Sequence, residues 1–188
     1  MIVFGLGNPG LKYRRTRHNV GFMLIDRMLS PGRTGKRTAK STEYRGRGTA
    51  ELFVKPRTYM NLSGLSVKDV LQRTKRTPAD IIVCHDDKDI PLGEIRVKHK
   101  GGAAGHNGIQ SIIDELKTDG FARVRIGISR LPDMPLSEYV LEKFSEDEIP
   151  ELEKALATAE KAVMDIAKNG IISAQNKYNK KAITGGNT

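Results

Sequence analysis

The chain has 188 residues, of which 38% are hydrophobic and 29% are charged. This size and balance are typical of one compact globular domain and exclude a disordered or fibrous chain. No run approaches the roughly 18 apolar residues that cross a bilayer, and the opening MIVFGLG lacks a charged leader. We therefore expect a cytoplasmic protein that makes no membrane contact. The single cysteine, Cys84, excludes an internal disulfide and lies in an apolar run.

The net charge of +10 is the first indication of function. An excess of this size favours a polyanionic partner, and in the cytoplasm such partners are mostly nucleic acids. General solubility is an alternative explanation of the same charge. With five tyrosines, five phenylalanines and no tryptophan, stacking along single-stranded RNA is not expected to be the main mode of binding.

Apolar runs and amphipathic segments alternate along the chain. In chain order the pattern predicts a strand at 1–6, a helix at 19–30, a basic loop at 33–40, two strands within 43–55, a helix at 62–73, strands at 81–85 and 94–99, a helix at 106–116, a strand at 123–128, helices at 147–168 and 171–178, and a frayed tail at 180–188. This order predicts one α/β domain over residues 1–188, a three-layer sandwich with a twisted mixed sheet flanked by helices.

The segment GLGNPG matches the pattern G-x-G-x-x-G of dinucleotide-binding loops through Gly5, Gly7 and Gly10. Such a site needs a helix directly after the glycines and an acidic residue about 20 residues later, at the end of a second strand. Here Asn8 and Pro9 interrupt the turn, and Asp26 lies inside a predicted helix. The pattern therefore argues against a nicotinamide-dependent oxidoreductase. It favours a glycine turn that exposes Asn8 at the carboxyl end of a strand.

The segment CHDDKD follows the predicted central strand and places Asp86 at its carboxyl edge. A metal site could use His85, Asp86 and Asp89, but no second ligand cluster supports it and the other histidines are scattered. We therefore predict no metal. An acidic turn is the simpler interpretation of these carboxylates.

Three asparagines occupy glycine-bearing or helix-opening turns: Asn8, Asn61 and Asn107. Each suits a helix cap, but the three turns are also suited to converge on one cleft. An amide offers a donor and an acceptor without charge, which a site needs to hold peptide groups and a hydrolytic water.

A histidine–carboxylate pair is the chemistry that these turns favour. No G-x-S-x-G elbow occurs and Cys84 is expected to be buried, so an enzyme-bound nucleophile is not expected. His18 precedes an apolar helix, where a capping or solvent-facing role is the alternative. A neutral imidazole can take a proton from water while a carboxylate fixes its tautomer, and we assign these roles to His18 and Asp86.

Six motifs occur in order: GLGNPG, TRHNVGF, YMNLSG, HDDKDIPLG, GHNG and RVRIGI. Together they cover about residues 1–128, and AQNKYN at 174–179 also fits. The set resembles bacterial peptidyl-tRNA hydrolases. The resemblance implies an enzyme that cleaves the ester between a peptide, or an N-blocked aminoacyl group, and the 3′-terminal ribose of tRNA. It implies a monomer that needs no metal, cofactor or obligate protein partner and that recycles tRNA from prematurely released peptidyl-tRNA.

The resemblance also assigns residue roles. It makes His18 the general base that activates water, with Asp86 holding and polarising it. It implies that Asn8 and Asn61 position the ester end and the peptide, with Met60 in the same pocket. It also implies that Asn107 binds the water and the peptide carbonyl or oxyanion, and that Tyr13 lies beside the tRNA end. Lys98 and Arg125 match a basic clamp on the tRNA 5′-phosphate.

Two segments of the chain modify these expectations. Ala104 stands where the family pattern has glycine before GHNG, and its methyl group matters if the position needs a positive φ. Residues 131–142 are expected to form a mobile lid over the cleft. The competing interpretation of the whole chain is a non-catalytic RNA-binding protein, which would retain tRNA without turnover.

Overall fold

A computed structural model describes residues 1–29, 33–46, 51–130 and 133–179. Over these residues one sheet contains seven strands: β1 Ile2–Gly5, β2 Lys36–Arg37, β3 Ser41–Arg45, β4 Leu52–Pro56, β5 Ile81–Asp87, β6 Ile95–Lys98 and β7 Ala122–Gly127. Their order is β2-β3-β4-β1-β5-β7-β6. Strands β4, β1, β5 and β7 are parallel, whereas β3 and β6 run antiparallel to their neighbours. The chain segments that follow the four parallel strands therefore meet at one edge of the sheet.

Helices cover both faces of the sheet. Their bounds are α1 Val20–Met28, α2 Ser63–Thr74, α3 Asn107–Leu116, α4 Leu136–Tyr139, α5 Ile149–Asn169 and α6 Ile171–Tyr178. One buried cluster joins the sheet to α1, α5 and α6, and a second joins it to α2 and α3. The three-layer α/β sandwich with a mixed sheet, predicted from the sequence, is confirmed. Within the described residues, each helix is too short or too polar to cross a membrane.

Alternation along the central strands creates the two cores. On β5, Ile81 and Val83 pack with α2 and α3, while Ile82 and Cys84 pack on the opposite face. Both faces are covered, which explains why this strand is a continuous apolar run. Cys84 is fully buried, and burial raises the pKa of its thiol well above the ordinary value. It is therefore an inert core residue.

The glycines near the N-terminus let α1 lie directly against the sheet. A Cβ on Gly21 would come within 2.4 Å of Leu6 N and 2.5 Å of Cys84 O. A Cβ on Gly5 would come within 2.2 Å of Gly21 O. The backbone contact is extended by a hydrogen bond from Phe22 N to Leu6 O, at 3.1 Å. Gly5 of GLGNPG thus serves helix–strand packing, and Asn8 is the polar residue of this turn that can bind a ligand.

Several element boundaries differ from the sequence predictions. The basic loop at 33–40 contains β2, whose Lys36 and Arg37 pair with β3. The predicted helix at 147–168 begins later, at Ile149, after a 3-10 turn over Glu146–Glu148. Further 3-10 turns occur at Leu11–Tyr13, Arg17–Asn19, Met60–Leu62 and Pro78–Asp80. Residues 131–132 of the expected lid and the tail at 180–188 lie outside the described residues.

Candidate active site

His18 and Asp86 meet at the carboxyl edge of the sheet. His18 lies in the 3-10 turn that opens α1, beyond β1, and Asp86 lies near the end of the neighbouring β5. His18 Nδ1 is 2.9 Å from Asp86 Oδ1 and 3.0 Å from Oδ2. The two residues are 9% and 4% exposed, respectively. The structure therefore brings together the pair on which the sequence-based mechanism depends.

The electrostatics of this pair fix where the protons lie. Burial lowers the pKa of His18, but the charge and hydrogen bond of Asp86 outweigh it, so the pKa is raised above its ordinary value. Burial raises the pKa of Asp86, but the adjacent histidines lower it further, so the carboxyl stays ionised. A neutral His18 therefore carries its proton on Nδ1 and donates it to Asp86. Its Nε2 makes no hydrogen bond to any described residue and is free to accept a proton.

A second histidine bonds the same carboxylate. His106 Nε2 lies 3.1 Å from Asp86 Oδ1. His106 is also the N-cap of α3, where its Nδ1 accepts from Gly108 N at 3.1 Å and Ile109 N at 3.2 Å. Because Nδ1 accepts two backbone N–H groups, the proton of this ring sits on Nε2 and is donated to Asp86. The helix cap thus sets the tautomer of His106.

A third imidazole, that of His85, packs against His106 and bonds the backbone of Asp86. Its Nδ1 donates to Asp86 O at 2.8 Å, and its ring lies 4.7 Å from that of His106, edge on. Burial holds the pKa of His85 well below its ordinary value. His85 Nε2 is buried and has no partner among the described residues. His85 is therefore a neutral ring that packs behind the site.

The turn after β1 holds Asn8 through a side chain that sequence reasoning overlooked. Asn19 Oδ1 accepts from Asn8 N at 2.8 Å, and Asn19 Nδ2 donates to Asn8 O at 3.0 Å. Asn8 Oδ1 in turn accepts from Met60 N at 2.8 Å. The side-chain oxygen of Asn8 therefore anchors the turn after β4, and the described residues leave its Nδ2 as an unused donor.

The other predicted substrate-binding residues lie in three separate segments of the chain. Asn107 is exposed and lines the cleft described below, next to the cap residue of α3. Asn61 lies in the 3-10 turn Met60–Leu62, and Tyr13 lies in the turn Leu11–Tyr13, where the Tyr13 and Tyr59 rings are 6.4 Å apart. Met60 is 4% exposed, and its side chain packs against Gly108 of α3. A Cβ on Gly108 would come within 2.5 Å of the Met60 sulfur. Met60 is thus mainly a core residue that joins α3 to the asparagine turns.

A cleft of about 260 Å³ opens beside the His18–Asp86 pair. One wall is the loop of Ala103, Ala104 and Gly105, and the facing wall is α4 with Leu136 and Val140. Ala104 adopts φ 49°, so this alanine occupies the left-handed conformation that glycine adopts without strain. The expected lid segment therefore borders the cleft, and its mobility stays a prediction.

The lid segment is joined to the segment that contains His18. The backbone N–H of His18 donates to Val140 O at 2.8 Å, and that of Arg17 donates to Glu142 O at 2.9 Å. Arg17 is buried, lies 4.4 Å from the Tyr139 ring centroid and 4.8 Å from that of Phe144, and pairs with Glu148 at 2.8 Å. The segment that contains His18 and the expected lid segment are therefore connected by backbone hydrogen bonds.

The predicted phosphate clamp lies on β6 and β7. Their register pairs Arg96 with Arg125 and Lys98 with Arg123, so the four basic side chains share one face of the two strands. Lys98 is exposed, whereas Arg125 Nε donates to Asp87 Oδ2 at 2.6 Å. Arg123 is buried and bonds Gly102 O at 3.0 Å, which makes it a structural support of the cleft loop.

Among the described residues, the group with metal-ligand spacing is His18, Asp86 and His106, not the set considered from sequence. The fit to a metal is poor in this arrangement. His106 uses its Nδ1 lone pair on two backbone N–H groups and presents its N–H to Asp86. His18 presents Nδ1 to the same carboxylate. The donor set is therefore arranged for hydrogen bonds between imidazoles and a carboxylate.

Comparison with known proteins gives a consistent result. A family model described as peptidyl-tRNA hydrolase matches residues 2–185. The peptidyl-tRNA hydrolase of Alkaliphilus oremlandii is 43% identical over 182 residues, covering 95% of this chain and 98% of the relative. That of Thermodesulfovibrio yellowstonii is 41% identical, with 96% and 99% covered. The crystal structure of the Acinetobacter baumannii peptidyl-tRNA hydrolase superposes with a TM-score of 0.87 at 33% identity, covering 95% of this chain and 93% of that one.

An α/β domain with a buried histidine–carboxylate pair beside an open cleft is the arrangement of a hydrolytic enzyme. With the matches above, the chain belongs to the peptidyl-tRNA hydrolase family. It is a hydrolase that acts on the ester bond of peptidyl-tRNA.

Proposed function

We propose that this enzyme cleaves peptidyl-tRNA with a water activated by His18, without a covalent intermediate. The observation that carries the proposal is the bond of His18 Nδ1 to Asp86 together with the free Nε2. Nε2 takes a proton from water, and the resulting hydroxide attacks the ester carbonyl carbon. The tetrahedral intermediate then collapses by breaking the bond to the ribose oxygen, which receives the proton from the imidazolium.

The charge of Asp86 supports this proton transfer. An ionised carboxylate beside Nδ1 stabilises the imidazolium that forms when His18 takes the proton. His106 donates to the same carboxylate and helps to hold it in place. Because the pKa of His18 is raised, the base is neutral above that pKa and loses activity as the pH falls through it.

The asparagines supply neutral donors around the ester. Asn107 lines the cleft and has an amide that can hold the water or the carbonyl oxygen as it gains charge. Asn8 has Nδ2 to offer, because its Oδ1 bonds Met60 N. Asn61 and Tyr13 are assigned to the ester end and the tRNA end, respectively. Met60 supports these residues from the core.

We assign Lys98 and Arg125 to the 5′-phosphate of tRNA. Their strands are adjacent and their side chains share a face. Arg125 is held by Asp87, which also lines the cleft, so phosphate binding would be tied to the cleft wall. We further propose that residues 1–188 act as a single monomeric domain in the cytoplasm, recycling tRNA without a cofactor or obligate protein partner.

The test is release of N-acetylated amino acid from tRNA under single-turnover conditions. The wild type should cleave, His18→Ala should lose at least about two orders of magnitude in rate, and His99→Ala, an exposed histidine outside the cleft, should match the wild type. Mass spectrometry during the turnover should detect no acyl-enzyme. Rapid cleavage by His18→Ala, or an acylated protein, would overturn the mechanism. An inactive wild type would refute the activity itself.

A further inference from the structure

The turn that joins Asn8 to His18 carries three exposed cations. This rim turn, residues 10–16, contains the 3-10 turn Leu11–Tyr13 and is closed by backbone hydrogen bonds, including Tyr13 N to Gly10 O at 3.2 Å and Thr16 N to Tyr13 O at 3.1 Å. Lys12, Arg14 and Arg15 project from it and are exposed. Arg15 adopts φ 68°, a conformation that L residues rarely adopt. The rim turn is thus a short, hydrogen-bonded platform for positive charge.

The three cations differ from many others on this surface. Arg27 pairs with Glu153 and Glu160, Arg73 pairs with Glu43 and Asp69, and Arg96 pairs with Glu94. In contrast, within the described part of the chain Lys12, Arg14 and Arg15 have no carboxylate within salt-bridge distance. Their charge is therefore available to a ligand.

The position of the rim turn identifies that ligand. The turn connects two residues of the candidate site, and Tyr13 within it faces the exposed ring of Tyr59. Lys12 Nζ lies 4.7 Å from the Tyr13 ring centroid, so the rim presents cations beside aromatic faces. Cations interleaved with aromatic rings are the pattern that binds single-stranded nucleic acid.

We propose that Lys12, Arg14 and Arg15 bind the backbone phosphates of the unpaired 3′ end of tRNA. The inference rests on the proposed function, because the ester is attached to the terminal ribose and the last phosphates of that strand are its nearest anions. The rim turn follows β1, whereas Lys98 and Arg125 lie on β6 and β7, beyond β5. The rim and the 5′-phosphate clamp therefore hold the substrate from different sides of the ester.

The test compares two double charge reversals in the full-length enzyme. Arg14→Glu with Arg15→Glu should raise KM for N-acetylaminoacyl-tRNA about tenfold at low salt, with kcat unchanged, because two phosphate contacts are lost. Lys161→Glu with Lys168→Glu, exposed positions on α5, makes the same change in net charge and should leave KM within about twofold. Arg14→Gln with Arg15→Gln should give an intermediate KM and guards against misfolding of the reversed variant.

Competitive inhibitors locate the contact on the tRNA. The trinucleotide CpCpA should inhibit the Arg14→Glu, Arg15→Glu variant about tenfold more weakly than the wild type. Adenosine, which has no phosphate, should inhibit both equally. Three results would each overturn the proposal. They are equal KM values for the two charge reversals, equal weakening of inhibition by CpCpA and by adenosine, and a raised KM for the tRNA substrate with unchanged inhibition by CpCpA.

Failure of the proposed function is distinguishable from failure of this inference. If the wild type does not cleave the substrate, the hydrolytic function itself fails. If the wild type cleaves and the reversed variant keeps both its KM and its CpCpA inhibition constant, the hydrolase stands and the rim turn has no role in binding phosphates.

Discussion

One oxygen atom of Asp86 receives hydrogen bonds from two imidazoles. His18 approaches Oδ1 from the 3-10 turn before α1, and His106 approaches it from the N-cap position of α3. The two rings are 5.0 Å apart. Because each bond has a fixed donor, the carboxylate cannot rotate without losing one of them, and His18 is held with Nε2 free.

Replacing Asp86 by Asn tests the electrostatic part of this arrangement. The amide removes the charge that raises the pKa of His18, so burial alone acts and the pKa falls. The acid limb of the pH–rate profile should therefore move to lower pH. The amide N–H₂ can also face Nδ1 and force the wrong tautomer, so kcat should drop by about two to four orders of magnitude. Profiles of kcat against pH check both effects, and an unmoved acid limb would contradict the assignment.

His106 has two roles that two substitutions can separate. His106→Ala should lower the free energy of unfolding by about 1 kcal/mol, because the N-cap of α3 is lost. It should also lower kcat, because Asp86 loses a donor. His106→Asn supplies a good cap and should restore stability without restoring kcat. Urea unfolding and steady-state kinetics check this, and recovery of kcat in the Asn variant would mean that capping alone matters.

Several residues of the candidate site can be located from the sequence because their positions are local patterns. Asp86 ends an apolar strand and Asn107 opens a helix, and both positions are visible as patterns. The sequence does not indicate the hydrogen bonds of His106 and Asn19, because their partners lie 20 and 11 residues away, respectively. Ala104 shows the same limit, since its positive φ is a property of the loop path. The burial of Met60, which the resemblance places in a substrate pocket, is likewise not revealed by its residue type alone.

At the scale of elements, Arg17 connects the segment that contains His18 to the residues between α4 and α5. Its guanidinium lies between the Tyr139 and Phe144 rings and bonds Glu148, which itself caps the turn before α5 through Ser145 N at 2.8 Å. Arg17 therefore connects the end of the expected lid segment to the segment that contains His18.

Arg17→Met should reduce the free energy of unfolding by roughly 1–3 kcal/mol, because a largely buried ion pair and two cation–π contacts are lost. Arg27→Met is the matched control, since Arg27 also pairs with α5 but at the surface, and should cost about 1 kcal/mol or less. Urea denaturation of both variants measures the difference. Equal destabilisation would show that Arg17 is an ordinary surface pair.

The sequence predicted long elements better than short ones. The apolar runs of β5 and β7 and the stripes of α2, α3 and α5 are long enough to reveal their period. Strand β2 has two exposed basic residues and exists through pairing with β3, so nothing in its own sequence indicates a strand. The four-residue α4 is likewise fixed by tertiary contacts, including the bond from Tyr139 Oη to Ile128 O at 2.7 Å.

For the whole molecule, the net charge of +10 gives substrate binding a clear dependence on salt. We expect KM for N-acetylaminoacyl-tRNA to rise about tenfold between 50 and 200 mM salt, with little change in kcat, as two or three phosphate contacts weaken. Inhibition by adenosine should be unaffected. Steady-state kinetics in a salt series measures this, and a KM independent of salt would show that the surplus charge serves solubility.

The pairing of β1 also determines when the enzyme becomes active as it folds. Ile2 pairs with both Leu52 and Ile81, so the first strand finds its neighbours far along the chain. Helices form from local contacts, whereas these strand pairs must first close long loops at a cost in chain entropy. The bond between His18 and Asp86 joins the chain segment that follows β1 to the end of β5. Recovery of hydrolysis after dilution from denaturant is therefore a reporter of closure at the centre of the sheet, and it follows the recovery of helical signal.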